Sequence, residues 1–355
     1  MTDSISKNDK LQKQQANDIT DHEGSAHEIT AHEITMVEAV TLALAHEMRK
    51  DPDVVILGED VGPNGGVFRA TQGLYEEFGF KRVMDTPLAE TLISGMTVGM
   101  AGYGLRPVAE IQFMGFIYAC MEHLVSHASR LRNRTRGHIS CPLVIRAPFG
   151  GGIHAPEHHS ESTEALFAHV PGLRVVIPSS PQRAYGLLLA AIRNDDPVLF
   201  LEPKRIYRIE RQTVVDNGQA LPLDTCFTLR QGSDITLVSW GASVRETLIA
   251  AEQLSEQGVE CEVLDLASIK PFDFKTILKS VKHTGRCCIV HEACRSFGVG
   301  AEIAAGLAEH ALLDLKAPVK RVTGFDTVMP YFKNEHYYLP SEQDIVAECL
   351  ELMTF

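Results

Sequence analysis

No stretch of this 355-residue chain strings together the ~20 apolar residues that a helix needs to cross a bilayer, so no membrane association is expected. Positive charge is also scarce. Lys and Arg number 33 against 46 Asp and Glu, for a formal net charge of −13. A nucleic-acid binder normally carries a basic face, so no nucleic-acid partner is expected and at most a local basic patch remains. The N-terminus has no signal-peptide core and is too acidic for a transit peptide, which makes a cytoplasmic protein of bacterial type the expectation. Two-by-two zinc spacing is absent among the eight cysteines. Cys287, Cys288, His291 and Cys294 are close in sequence, but Cys287 and Cys288 would point to opposite faces of a strand. Reduced, structural thiols are therefore expected. Gly298-Val299-Gly300 lacks the third glycine of a dinucleotide fingerprint.

What is present is ordinary for a soluble globular protein: 45% apolar and 22% charged residues, in a chain long enough for two domains. Residues 1–35 read as a disordered tail. Seven acids face three lysines there, with no aromatic, and Ala26-His27-Glu28-Ile29-Thr30 is repeated as Ala31-His32-Glu33-Ile34-Thr35. From residue 36 to 210, short apolar runs alternate with helical patterns. These include Val54-Val55-Ile56-Leu57, residues 107–113, Leu143-Val144-Ile145-Arg146 and Val198-Leu199-Phe200-Leu201. Such alternation predicts a mostly parallel sheet covered on both faces. A polar linker over residues 211–230 is expected to precede a second α/β unit, residues 231–355, opening with Ile235-Thr236-Leu237-Val238-Ser239. The fold class is therefore α/β, with two doubly wound domains.

The densest chemistry lies between Asp85 and Phe116. Thr86 suits an N-cap, Pro87 a first helical position, and Glu90 a first turn where the helix dipole favours an acid. Glu90 can thus be a capping acid or a functional carboxylate. Gly95, Gly99 and Gly102 then share one helix face. Each costs about 1 kcal/mol against alanine, so close approach of another helix or subunit is expected there. Farther on, His154-Ala155-Pro156-Glu157-His158-His159-Ser160 follows the Gly150-Gly151-Gly152 loop. Histidine titrates near neutral pH and can pass protons. Either histidine of the pair could also be a plain surface-loop residue.

Several motifs in this order resemble the beta subunit of the decarboxylating component of 2-oxoacid dehydrogenase complexes, pyruvate dehydrogenase type most of all. They are Leu57-Gly58-Glu59-Asp60-Val61-Gly62, Gly65-Gly66-Val67-Phe68-Arg69, Asp85-Thr86-Pro87-Leu88-Ala89-Glu90, Glu110-Ile111-Gln112-Phe113, His159-Ser160-Glu161-Ser162 and Pro171-Gly172-Leu173. The resemblance runs from about Met36 to the C-terminus. It implies a pyrimidine-binding domain followed by a transketolase C-terminal-type domain, the latter concerned mainly with subunit contacts.

It also implies thiamine diphosphate, whose reactive carbon loses a proton to its own aminopyrimidine when a carboxyl group is bonded to the ring nitrogen. Glu90 matches that carboxyl position, and Phe116 matches the aromatic packed on the ring, though core packing is the plain alternative. His159, rather than His158, matches the histidine that serves acyl transfer to a lipoyl group. The chain contains no Gly-Asp-Gly, so magnesium and the diphosphate should be held by a separate alpha subunit, in an α2β2 heterotetramer that passes its product to a lipoyl acyltransferase core. The N-terminal tail can be a docking segment for that core. Leu143, Ala191, Ile192, Asn194 and Asp196 match a structural potassium site, although the Asn–Asp order is reversed, and the alternative is a turn ended by Pro197. The expected activity is oxidative decarboxylation of a 2-oxoacid and reductive acylation of lipoyl groups. Branched-chain oxoacid or acetoin remain alternative substrates, a non-catalytic scaffold subunit is an alternative of another class, and a self-sufficient transketolase-like enzyme would need the missing magnesium motif.

Overall fold

The computed structural model describes residues 30–355. Strands run β1 (Thr30–Ile34), β2 (Val54–Gly58), β3 (Val83–Asp85), β4 (Arg106–Glu110), β5 (Val144–Phe149), β6 (Arg174–Val176), β7 (Val198–Pro203), β8 (Gln212–Asp216), β9 (Phe227–Arg230), β10 (Ile235–Ser239), β11 (Cys261–Asp265), β12 (Ser268–Lys270), β13 (Cys287–Cys294) and β14 (Lys320–Gly324). Long helices are α1 (Met36–Lys50), α2 (Glu90–Gly102), α3 (Pro181–Arg193), α4 (Ser243–Ser255), α5 (Phe274–Thr284), α6 (Val299–His310) and α7 (Glu342–Leu352).

One sheet has the order β12-β6-β7-β5-β4-β2-β3 and is parallel except for β12. Its central strands β2, β5 and β7 are buried from end to end. That burial is why they read as unbroken apolar runs rather than alternating ones. The second sheet has the order β14-β13-β10-β11-β9, parallel except for β9. Cys287 and Cys288 do face opposite sides of β13, each in a different core cluster. All eight cysteines are free thiols.

Helix starts follow side-chain chemistry. A reciprocal Thr35–Glu38 capping box opens α1, and Ser180 accepts from the Arg183 N–H ahead of Pro181 in α3. Helices α1 and α3 pack on one face of the first sheet, joined at their ends by Arg193 and Glu47 at 2.5 Å.

Four features differ from the sequence reading. Thr30–Ile34, expected as part of a disordered tail, pairs with β8 as a two-stranded sheet; residues 1–29, with the first copy of the repeat up to Ile29, lie outside the described residues. The expected linker carries β8 and β9, whose mixed burial hid them among polar residues. The chain after residue 231 returns β12 to the first sheet, so the two units share strands. The helix placed at Pro87 begins instead at Glu90, because the Thr86 N–H is taken by the Gly58 carbonyl at 2.9 Å and the strand edge persists.

Candidate active site

Four adjacent parallel strands, β3, β2, β4 and β5, end on the same side, and each loop leaving a C-terminal end carries a residue of interest. This is the edge where open α/β sheets bind ligands. From β3 the chain reaches Glu90, from β2 Glu59, from β4 Phe113 and Phe116, and from β5 His158 and His159.

Glu90 is the first residue of α2 and is half-buried. Among the described residues its carboxylate makes no hydrogen bond or ion pair. Its carbonyl receives Ser94 Oγ at 2.9 Å and Cys120 Sγ at 3.3 Å, which ties α2 to the segment containing Phe116. The Glu59 carboxyl is raised from its ordinary value by burial first, then by the charges of Asp60 and Glu90. Two acids therefore share this rim. The Asp85 carboxylate accepts the Gly62 N–H at 2.6 Å and closes the β2 and β3 loops on each other.

Phe116 and His159 are brought together. Their ring centroids are 5.3 Å apart, and Phe113 lies edge-on to both, at 5.8 Å from Phe116 and 4.5 Å from His159. His158 meets Phe116 at 5.3 Å and Tyr118 at 6.1 Å but is exposed. His159 is the half-buried one, and its Nδ1 is buried with no hydrogen-bond partner among the described residues. Such an orphaned ring nitrogen is costly unless a ligand or substrate group supplies the missing partner. Gly115 permits this contact, because a Cβ there would lie 1.9 Å from the His158 carbonyl oxygen.

Beneath the rings sits a buried charge network. Arg146 on β5 binds Glu202 through two bonds of 2.6 and 2.9 Å and Glu110 at 3.0 Å, and Tyr207 donates to Glu202 at 2.5 Å. Burial raises the Glu110 carboxyl even though Arg146 opposes the shift. Phe68 links this layer to the rings, 5.4 Å from both Tyr207 and Phe113.

The segment carrying Phe116 is helical but irregular: tight turns over Met114–Cys120, a wide turn over Glu122–His127, then tight again at Ala128–Arg130. Wide helical turns of this kind cluster at functional sites. Gly95 of α2 approaches it, since a Cβ there would press on the His123 ring at 3.2 Å, while a Cβ at Gly99 would meet nothing within 4 Å among the described residues. The close approach expected of this glycine face is therefore made at Gly95 and within the chain.

The potassium candidates lie together at the end of α3, but their oxygens already have donors. Arg106 donates to the Ile192 and Asn194 carbonyls at 3.1 and 3.2 Å, and Asn194 N–H donates to Ala191 at 3.3 Å. Val198 N–H donates to Leu143 at 3.0 Å, and the Asp196 carboxylate holds Arg132 at 2.5 Å. Among the described residues no cluster of three His, Cys, Asp or Glu side chains could hold a metal ion, the Cys287–Cys294 group included. His291 instead stacks on Trp240 at 5.0 Å, and burial lowers it to about 3.

Glu59 and Phe113 were legible as the residue after a strand and the aromatic three before Phe116, yet neither stood out from its motif. No local signal marks Glu292 and Glu335, which reach the histidine loop from far along the chain.

Two transketolase-type domains define the class. The family model "Transketolase, pyrimidine binding domain" matches residues 32–210, and "Transketolase, C-terminal domain" matches residues 225–345. A solved split-gene transketolase, described as an inactive β4 tetramer, superposes with a TM-score of 0.75 at 22% identity, covering 91% of this chain and 99% of that one, which speaks for the fold. Among relatives, the pyruvate dehydrogenase E1 component subunit beta of Acholeplasma laidlawii is 49% identical over 312 residues, 88% of this chain and 95% of its own. That of Bacillus subtilis is 45% identical over 320 residues, 90% of this chain and 98% of its own. The chain belongs to the family of pyruvate dehydrogenase E1 component beta subunits.

Proposed function

We propose that this chain is the beta half of a thiamine diphosphate-dependent 2-oxoacid dehydrogenase, with pyruvate as substrate, active only with an alpha subunit. The observation that carries the reading is the meeting, at one sheet edge, of an unpaired carboxylate, an aromatic pair and a histidine with an orphaned nitrogen. Exposed Leu88 (73%) and Leu92 (44%) flank that carboxylate, as expected of a surface that a partner covers. With no Gly-Asp-Gly in the chain, that partner supplies the magnesium and diphosphate end.

The residues present fit the pyrimidine end of the cofactor. When bound, the cofactor supplies the carbanion-stabilising carbon at which the 2-oxoacid loses carbon dioxide. The Glu90 carboxyl would share a proton with the pyrimidine ring nitrogen, and Phe116 would cover the ring face. His159 serves the transfer step. It would deliver a proton to the lipoyl sulfur that leaves when the S–S bond is reduced and the other sulfur takes up the acyl group. Cytoplasmic location, the α2β2 assembly and delivery to an acyltransferase core belong to the same reading. A potassium ion at the Ile192–Asn194 loop would have to share carbonyl lone pairs with Arg106, so the resemblance alone supports it. Branched-chain and acetoin substrates remain the competing readings for the pocket, since one methylene shifts discrimination by only about 1–3 kcal/mol.

The test is made on the chain assembled with its alpha subunit. Pyruvate should be turned over in preference to 3-methyl-2-oxobutanoate. His159→Ala should lower acylation of a lipoyl domain by about 100-fold or more while cofactor affinity stays near the parent value. Full acyl transfer by that variant would remove the role given to His159, and absence of any thiamine-dependent turnover by the pair would favour a scaffold subunit.

A further inference from the structure

The loop that carries the histidines packs on Phe113 and Phe116 of its own domain, but its glycine-rich start is also held from the C-terminal domain. Glu292, at the end of β13, accepts the Gly151 N–H at 2.5 Å and the Ser162 hydroxyl at 3.0 Å through one oxygen. Glu335 accepts the Gly152 N–H at 2.5 Å through Oε1, and through Oε2 it accepts the His154 N–H at 2.9 Å and meets His154 Nδ1 at 2.8 Å. Both carboxylates are buried, at 5% and 1% exposure. Side chains crowd the three glycines: a Cβ at Gly150 would lie 2.7 Å from Glu292, one at Gly151 2.5 Å from Met329, and one at Gly152 2.0 Å from Arg205. Glycine is required here by close approach.

The far flank is held in the same way. Trp240, just after β10, donates its indole N–H to Glu164 at 3.2 Å, and burial pushes that carboxyl up to about 7. Nearby, the Lys204 ammonium is buried without a hydrogen-bond partner among the described residues. Burial lowers it to about 8, while Glu292 and Glu335 favour its charge. The two acids therefore face a compensating cation rather than repelling each other unopposed.

We infer that Glu292 and Glu335 are positioning residues for His159, and that the C-terminal domain sets the geometry of acyl transfer through the 150–154 loop. This goes beyond a role in subunit contacts, and it rests on the reading of His159 as the proton carrier for the lipoyl sulfur. The two acids differ in how they tolerate an amide. Glu292 uses one oxygen, so glutamine can present its carbonyl there. Glu335 uses both, so Glu335→Gln turns an NH₂ against an N–H donor. A misplacement of about 1 Å can cost about 100-fold in rate.

The experiment uses the alpha–beta enzyme with three readouts: lipoyl-domain acylation, decarboxylation coupled to an artificial electron acceptor, and amide hydrogen exchange at residues 150–160. Glu335→Gln should lower acylation by about 10- to 100-fold, leave acceptor-coupled decarboxylation within about 3-fold, and speed exchange at Gly152 and His154. Glu292→Ala, which removes the acceptor for the Gly151 N–H and the Ser162 hydroxyl, should lower acylation in the same selective way, with decarboxylation within about 3-fold. Should Glu335→Gln fail to assemble, the exposed His154→Ala, which removes one of the donors to Glu335, should lower acylation several-fold with decarboxylation intact. Equal loss of both half-reactions, or parent-like acylation by Glu335→Gln or by His154→Ala, overturns the inference. If His159→Ala itself acylates normally, the reading of His159 fails first; if it is impaired while Glu335→Gln is not, only the positioning role fails.

Discussion

Glu90→Gln should slow 2-oxoacid decarboxylation by the assembled alpha–beta enzyme by at least about 100-fold, the low end of what a positioned acid–base group contributes. Glutamine keeps the size of the side chain and the place at the start of α2, so the fold should survive. The Glu90 carbonyl contacts to Ser94 and Cys120 are main-chain and persist in the variant. What is lost is a group able to share a proton with a ring nitrogen. The carboxylate has no internal hydrogen-bond partner among the described residues, so no compensating rearrangement is waiting within the chain. A capping acid would behave differently: loss of a favourable helix-dipole contact costs only about 0.3–1 kcal/mol of stability and leaves the rate unchanged. Steady-state turnover together with a melting curve separates the two roles. A parent-like rate with a slightly lower midpoint would return Glu90 to capping.

The largest stability effect is expected at Arg146. Arg146→Ala leaves Glu110 and Glu202 facing each other, both under 4% exposed, with Tyr207 as the only remaining donor among the described residues. Breaking a buried network by removing its single cation costs about 3–5 kcal/mol, because the stranded charges must be neutralised or hydrated. Arg146→Lys should recover only part of this, since an ammonium cannot reproduce the two parallel bonds to Glu202. By contrast, Arg49→Ala breaks a pair of similar length, 2.6 Å to Glu77, that is about two-fifths exposed on both sides. It should cost under about 1 kcal/mol. Denaturant titration of the three variants checks the ranking, and equal losses at positions 146 and 49 would refute it.

Much of this was legible because local chemistry and tertiary role coincide. Val54-Val55-Ile56-Leu57 reads as a buried strand and is one, since a parallel strand covered on both faces leaves no room for polar alternation. Phe116 and His159 carried weight only through their motifs, and the structure then puts their rings within contact. Where reading failed, the deciding partner was distant. Thr86 looks like a helix cap until Gly58, twenty-eight residues earlier, takes its N–H. Residues 212–216 and 227–230 look like linker because each strand has only one side or one neighbour to bury. Glu292 and Glu335 lie more than a hundred residues from the loop they hold, and no periodicity or spacing connects a carboxylate to an amide across that interval.

The central claim is that this polypeptide furnishes the pyrimidine end of a shared cofactor site and another furnishes the diphosphate end. Calorimetric titration of thiamine diphosphate, with and without magnesium, into the chain alone and into the chain assembled with a subunit bearing a Gly-Asp-Gly motif tests it most directly. Tight, magnesium-dependent binding by the assembly and negligible binding by the chain alone is the expected result. Tight magnesium-dependent binding by the chain alone would contradict it.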